Sequence, residues 1–245
     1  MKTSTLLNTI CLAAALLVGT AHAHGLWIEQ TGDTKTLFYG EPENALKEKF
    51  PGKLENIKAP QAVLLSPDGG KLVVKVERGG AGFHLGKSSV TQTVLATETS
   101  MEVKDWTQHG LGIVKPMYYA RFAPTPLAAA KPETALDIVP IAAWMADHPN
   151  AFMVAYKGQP VAKAKVSVIA PNTWTQEFIT DELGRIAINT PWRGQYVLEI
   201  THTDKTPGEF EGKRYESLRS RAMLTFIQVT GEEVKQITPP RHSME

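Results

Sequence analysis

The sequence predicts an all-β fold built as two β-sandwich modules with few short helices. Three observations predict it. Short runs rich in Val, Ile, Thr and aromatic residues follow one another along most of the chain, bounded by glycine, proline and Asp-Gly punctuation. Sustained 3.6-residue apolar periodicity is scarce. A proline-rich stretch, PTPLAAAKPETALDIVP at 124–140, divides the β-rich segments into two groups.

The front of the chain reads as a secretory signal peptide, residues 1–23. Lys2 is the positive n-region, Leu6 to Val18 is an uncharged apolar run, and Ala21-His22-Ala23 is an A-x-A cleavage signature. The apolar run is shorter than the roughly 20 residues of a membrane span. Cleavage after Ala23 would leave a chain that starts at His24 and resides in the periplasm. It would also remove Cys11, the single cysteine, so disulfides and thiolate metal sites are not expected. The whole chain holds 26 basic and 25 acidic residues, and only Lys2 leaves with the signal. A neutral chain without a basic tract argues against nucleic-acid binding, which rests on phosphate neutralisation. No later segment has the length and apolarity of an integral membrane span.

Residues 24–123 form the expected N-terminal β-rich domain. AVLLS (62–66) and KLVVKVE (71–77) flank Pro67-Asp68-Gly69-Gly70 as a hairpin. SSVTQTVLATE (88–98) and GIVKPMYYARF (112–122) read as further strands, and NALKEKF (44–50) and AAWMAD (142–147) as short helical turns. Residues 124–149 read as a linker or extended crossing segment, with a long surface loop as the alternative. The second module, 150–232, shows strands at 151–159, 164–171, 174–180, 185–190, 195–203 and 221–229, with a polar insertion, THTDKTPGEFEGKRYESLR, before the last one. A tail, 233–245, follows.

Chemistry centres on His24. As a free N-terminal residue it would offer its α-amine and Nδ1 as one chelate, and the amine, with a pKa of about 7.7–8.0, is available near neutral pH. An all-nitrogen set favours Cu(II) or Ni(II), with Co(II) or Zn(II) also possible. One further histidine would complete a histidine brace; the alternative is that His24 is a frayed, solvated terminus. His202 is the expected partner: alternation places it after Tyr196, Leu198 and Ile200 on a core-facing row, where it is either a packed core-edge residue or an inward ligand. His24, Leu26 and Ile28 share a face in the same way. His84, in the glycine-rich run GGAGFHLGK, and His109 and His148, in turn-like contexts, are weaker candidates, and His242 lies in the tail. No H-E-x-x-H, G-x-S-x-G or cysteine nucleophile occurs in the chain after residue 23. Glu41, Glu43, Glu209 and Glu211 read as solvated loop charges.

Two resemblances follow. KGQPVAKAKVSVIAPN with TDELGRIAINTPWRGQYVLEI is similar to prealbumin-like and carboxypeptidase-regulatory-like modules, which implies an Ig-like sandwich and little about chemistry. AHAHGLWIE, DIVPIA, FMVAYKGQPVAKAKVSV, TDELGRI and YVLEITH together resemble the DUF4198 family of exported bacterial proteins, some described as nickel- or cobalt-uptake components. That resemblance implies a periplasmic accessory protein for transition-metal uptake or handling, with His24 and His202 at the matching positions and a metal importer or outer-membrane receptor as partner. Two other readings stand beside it. One is a copper oxidase or lytic monooxygenase using the brace, with Trp106, Trp174 and Trp192 as a substrate face. The other is a metal-free envelope docking module that uses the 204–217 loop.

Overall fold

The computed structural model describes residues 24–66, 68–89, 92–124, 128–142 and 148–234. Fourteen strands carry the architecture. In the first half these are β1 (Gly25–Thr31), β2 (Thr34–Glu41), β3 (Gln61–Leu65), β4 (Lys71–Val74), β5 (Phe83–Lys87), β6 (Thr93–Glu98) and β7 (Ile113–Phe122). In the second half they are β8 (Leu136–Pro140), β9 (Asn150–Tyr156), β10 (Lys165–Ile169), β11 (Thr175–Ile179), β12 (Arg185–Ile188), β13 (Trp192–Asp204) and β14 (Ser217–Gln228). The only helical elements among the described residues are 3-10 turns at Pro42–Asn44, Lys53–Asn56 and Thr107–His109. The all-β sandwich architecture is thus the one the sequence predicts.

One long sheet spans both halves. Its strands run β11-β10-β13-β14-β7-β6-β3-β4, with the short pairs Lys104–Asp105 and Glu232–Glu233 attached at its margins. β7 and β14 join the halves as parallel neighbours, from Val114 opposite Ser217 to Phe122 opposite Thr225. Two smaller sheets cover opposite faces. β1, β2 and β5 enclose a core of Leu26, Ile28, Leu37 and Phe83 against Leu64, Val94, Tyr118 and Phe122. β8, β9 and β12 enclose a second core of Ile138, Phe152 and Ile186 against Tyr119, Leu198, Leu224 and Phe226. β7 serves both, because consecutive residues of a strand point to opposite faces. Its sequence IVKPMYYARF carries apolar or aromatic residues at adjacent positions for that reason, as expected of a strand buried on both sides.

Trp27 ties the halves together. It is 1% exposed and packs with Ile169, Val197 and Met223 of the second half and with Phe38 of β2. The face of β10 and β13 turned away from the second core is thereby covered at Ile169 and Val197 by a residue from the first strand.

Several elements differ from the sequence expectation. Asn44 closes the 3-10 turn, but residues 45–50 are not helical: Ala45 takes a left-handed conformation, and Leu46–Lys47 pairs with Gly40 and Glu41. Leu46 and Phe50, the pair that would form an apolar helical face, both stay exposed, so no burial favours a helical turn over strand pairing. The expected turn at 142–147 lies almost wholly outside the described residues. The crossing segment holds a strand, β8, whose five residues are all buried and pair with β9. Buried Asp137 there meets buried Arg121 in a two-pronged ion pair at 2.9 and 2.6 Å. The expected strand at 71–77 ends at Val74 and is an exposed edge, with Val73 77% exposed.

Candidate functional site

His24 stands at a corner built by strand register. Gly25 pairs with Gly40, so the residue before Gly25 falls beside the residue after Gly40, Glu41. Gly40 then pairs with Lys47, and the Glu48 amide donates to the Tyr39 carbonyl at 2.8 Å, which brings Glu48 to the same corner. Two glycines make this geometry possible. Gly40 has φ +149, and a Cβ there would lie 2.1 Å from the Leu46 carbonyl oxygen. A Cβ on Gly25 would lie 2.2 Å from Met223 Cε and 3.1 Å from Arg221 Cδ. Glycine at 25 therefore lets β1 settle directly on β14.

The two carboxylates take opposite edges of the imidazole. Glu48 Oε1 is hydrogen-bonded to Nε2, and Glu41 Oε1 lies 3.3 Å from Nδ1. The three side chains are 16%, 12% and 14% exposed for His24, Glu41 and Glu48. Lys53 also reaches Glu48, at 3.5 Å. An ionised carboxylate can only accept, so the bond to Glu48 places a proton on Nε2. Glu41 Oε1 faces the other ring nitrogen, Nδ1, at 3.3 Å.

Tyr39 supports the ring at a centroid distance of 5.2 Å and meets Tyr118 edge-on at 5.9 Å. Burial pushes both hydroxyls upward, and their mutual hydrogen bond raises Tyr39 further, so both stay neutral donors. On its other side His24 borders a small cleft with a cavity of about 20 Å³, lined also by Trp106, Tyr118, Thr201, Arg219 and Arg221. Such a volume holds about one water or one ion.

His202 is elsewhere. Thr201 pairs with Arg221 and lies in the His24 cleft, whereas His202 pairs with Ser220 and points to the opposite face of the long sheet. There it stacks on Tyr156 at 4.4 Å. Burial lowers its pKa, partly offset by Asp204. Asp204 is itself held well below the usual carboxylate range by hydrogen bonds from Thr206, Lys157 and Tyr156. The structure therefore does not bring His24 and His202 together. His84, His109 and His148 are all exposed and none of them lines the His24 cleft, although the His109 amide donates to the carbonyl of Trp106, which does; His242 lies outside the described residues. Trp174 and Trp192 meet edge-on at 5.8 Å, separate from Trp106 in the cleft.

Among the described residues no three or more His, Asp or Glu side chains are arranged around one metal position. Glu41 and Glu48 are too far around the ring from each other to share an ion. The residues that make the corner distinctive are Glu41, Glu48, Arg219 and Arg221; from sequence Glu41 reads as a solvated loop charge and Arg219 only as the end of the polar insertion, and Glu48 and Arg221 are not singled out. The one available signal was SLRSRAMLTFIQ, where two arginines at i, i+2 extend the apolar alternation of a strand.

Comparison with known proteins yields one match. No curated protein and no solved structure matches the chain. A family model described as a domain of unknown function covers residues 21–204, which takes in His24, Glu41, Glu48 and His202 but not Arg219 or Arg221, and the chain belongs to that family, DUF4198.

Proposed function

We propose that the protein is an exported, periplasmic transition-metal-binding accessory protein whose ion is held at the His24 corner. After cleavage following Ala23, the α-amine and Nδ1 of His24 and a carboxylate oxygen of Glu41 supply the ligands. The observation that carries the reading is the slot between Nδ1 and Glu41 Oε1, 3.3 Å wide. Two ligand atoms bound at about 2.0–2.2 Å and roughly at right angles lie about 3 Å apart, so a small ion fits with slight adjustment. Glu48 plays the supporting part that metal-bound imidazoles require. It holds the Nε2 proton, fixes the tautomer and makes Nδ1 the better donor. The ligand set of amine, imidazole and carboxylate suits Cu(II), Ni(II) or Co(II). His202 has no part in this site, which departs from the two-histidine brace expected from sequence. The ion would be handed on to a membrane importer or receptor.

The test joins intact mass to titration. The exported form is purified, its mass recorded, and Cu(II) and Ni(II) are titrated into it and into the same protein after acetylation of its α-amine. A mass starting at His24 and a loss of at least about a hundredfold in affinity in the acetylated form are expected, because the chelating amine becomes an amide. A mass starting elsewhere, or equal affinity in both forms, overturns the reading.

A further inference from the structure

The cleft beside His24 is lined by two guanidinium groups, a poor setting for a bare dication. Arg219 and Arg221 lie two apart on β14 and so share one face. Arg221 is anchored by Glu199 at 2.7 Å and by Thr201 Oγ1 at 3.2 Å. Its Nη1 is buried and has no hydrogen-bond partner among the described residues. A buried donor of a charged group is costly to leave unsatisfied, so a ligand that accepts from it is favoured. Arg219 makes one long contact, 3.4 Å, with Thr203 Oγ1, which leaves its fork open. Burial first, and then the neighbouring Arg221 charge, push its pKa down. Glu199 answers one of the two guanidinium charges.

We infer that Arg219 and Arg221 form an anion notch that takes the carboxylate of a small chelating acid, so that the metal is held at His24 as a chelate rather than as a bare ion. The notch and His24 line one cleft. Guanidinium forks match carboxylate geometry with two parallel donors, and Arg221 Nη1 supplies one of them. The cavity of about 20 Å³ admits the tip of a ligand, one carboxylate oxygen, while the rest of the acid lies outward along Trp106. Amine, Nδ1 and Glu41 leave at least one position of a tetragonal ion open, and the acid's remaining donors fill it. Its negative charge also screens the ion from the two arginines. The ligand class is a multidentate acid with at least two metal-binding groups, of the α-amino-acid or hydroxy-polycarboxylate kind.

This inference rests on the metal reading of His24, and the experiment separates the two. Ni(II), citrate, L-histidine and their preformed nickel complexes are titrated into the exported protein, with binding followed by calorimetry and Trp fluorescence. The same series is run on Arg219→Gln, Arg221→Gln, Arg219→Lys and His24→Ala, each first checked for an unchanged far-UV spectrum and cooperative melting. A nickel complex that binds at least about tenfold more tightly than Ni(II) alone, an advantage lost in Arg219→Gln and reduced in Arg219→Lys, supports the notch. Ni(II) binding equally well with and without acid, and unchanged in the arginine variants, overturns the notch and leaves the metal site standing. Acid that binds the wild type but not Arg219→Gln, with no Ni(II) binding under any condition, overturns the metal reading and retains an anion site. If Arg221→Gln does not fold, Arg219→Gln and Arg219→Lys decide alone.

Discussion

His24 and His202 begin from the same sequence pattern and end in opposite surroundings. Each closes a row of apolar residues on a strand, with Leu26 and Ile28 beyond one and Leu198 and Ile200 before the other. His24 comes to rest between two carboxylates, beside two arginines and two tyrosines. His202 lies on the far face of the same sheet, stacked on Tyr156 and near an aspartate already occupied by three donors. Alternation along a strand sets which residues share a face. It does not set which of two covering sheets that face will meet. A residue at the end of an apolar row is therefore placed relative to its own strand, and its chemistry waits on the packing of another sheet.

The sharpest way to break the comparison is to remove what holds the two faces in one body. Trp27→Ala deletes a buried indole that touches β10, β13 and β14, at a cost of about 3–5 kcal/mol. Calorimetry should show one transition at lower temperature, since the halves share a sheet; two separate transitions would mean that each half folds alone. Next comes metal affinity. His24→Ala should weaken Ni(II) or Cu(II) binding by at least about a hundredfold, through loss of an imidazole ligand, while His202→Ala leaves it within about twofold. Comparable losses in both would restore the two-histidine arrangement and refute the separation seen here.

A smaller effect is expected at Glu48. Glu48→Gln keeps the shape but exchanges a carboxylate for an amide at Nε2, and affinity should fall by about 10–100-fold, as is usual for partners of a ligating histidine. No change would show that the ring needs no such support. The smallest effect concerns pH. The His202 pKa is lowered from 6.5 by burial, so below 6.5 the unfolded chain binds more protons at this position than the folded one. Stability contributed here is present above pH 6.5 and is lost as the pH falls toward the depressed folded value. Metal-free wild type should therefore lose melting temperature on acidification from pH 7.5 to 5.5 more than His202→Gln does. Parallel curves for the two would remove His202 as a source.

Much of the fold was legible because β-sandwich strands announce themselves by alternation and punctuation. LEITHT, KVSVI and RIAI carry their faces in their spelling, and the Pro-Asp-Gly-Gly turn predicts the β3–β4 hairpin. Residues 44–50 misled because Leu46 and Lys47 pair with a neighbouring strand, a non-local event that helix propensity does not see. The strand inside the crossing segment was hidden among prolines. Its identity depends on pairing with β9 and on Arg121, sixteen residues away, neutralising Asp137. At the candidate site His24 was legible from its likeness to a cleavage product. Glu41 and Glu48 were not, since each looks like ordinary loop charge until register sets it against the ring.

By itself the sequence determined the class of fold, the strand faces and the singular position of His24, because these depend on local spacing and on covalent chemistry. The tertiary structure alone decided the sharing of one sheet by both halves, through the parallel pairing of β7 and β14. It also decided that His202 lies away from His24, and that Glu41, Glu48, Arg219 and Arg221 surround His24 instead. Those outcomes rest on contacts between residues far apart in the chain, and no local pattern of residues encodes which strand will lie across which.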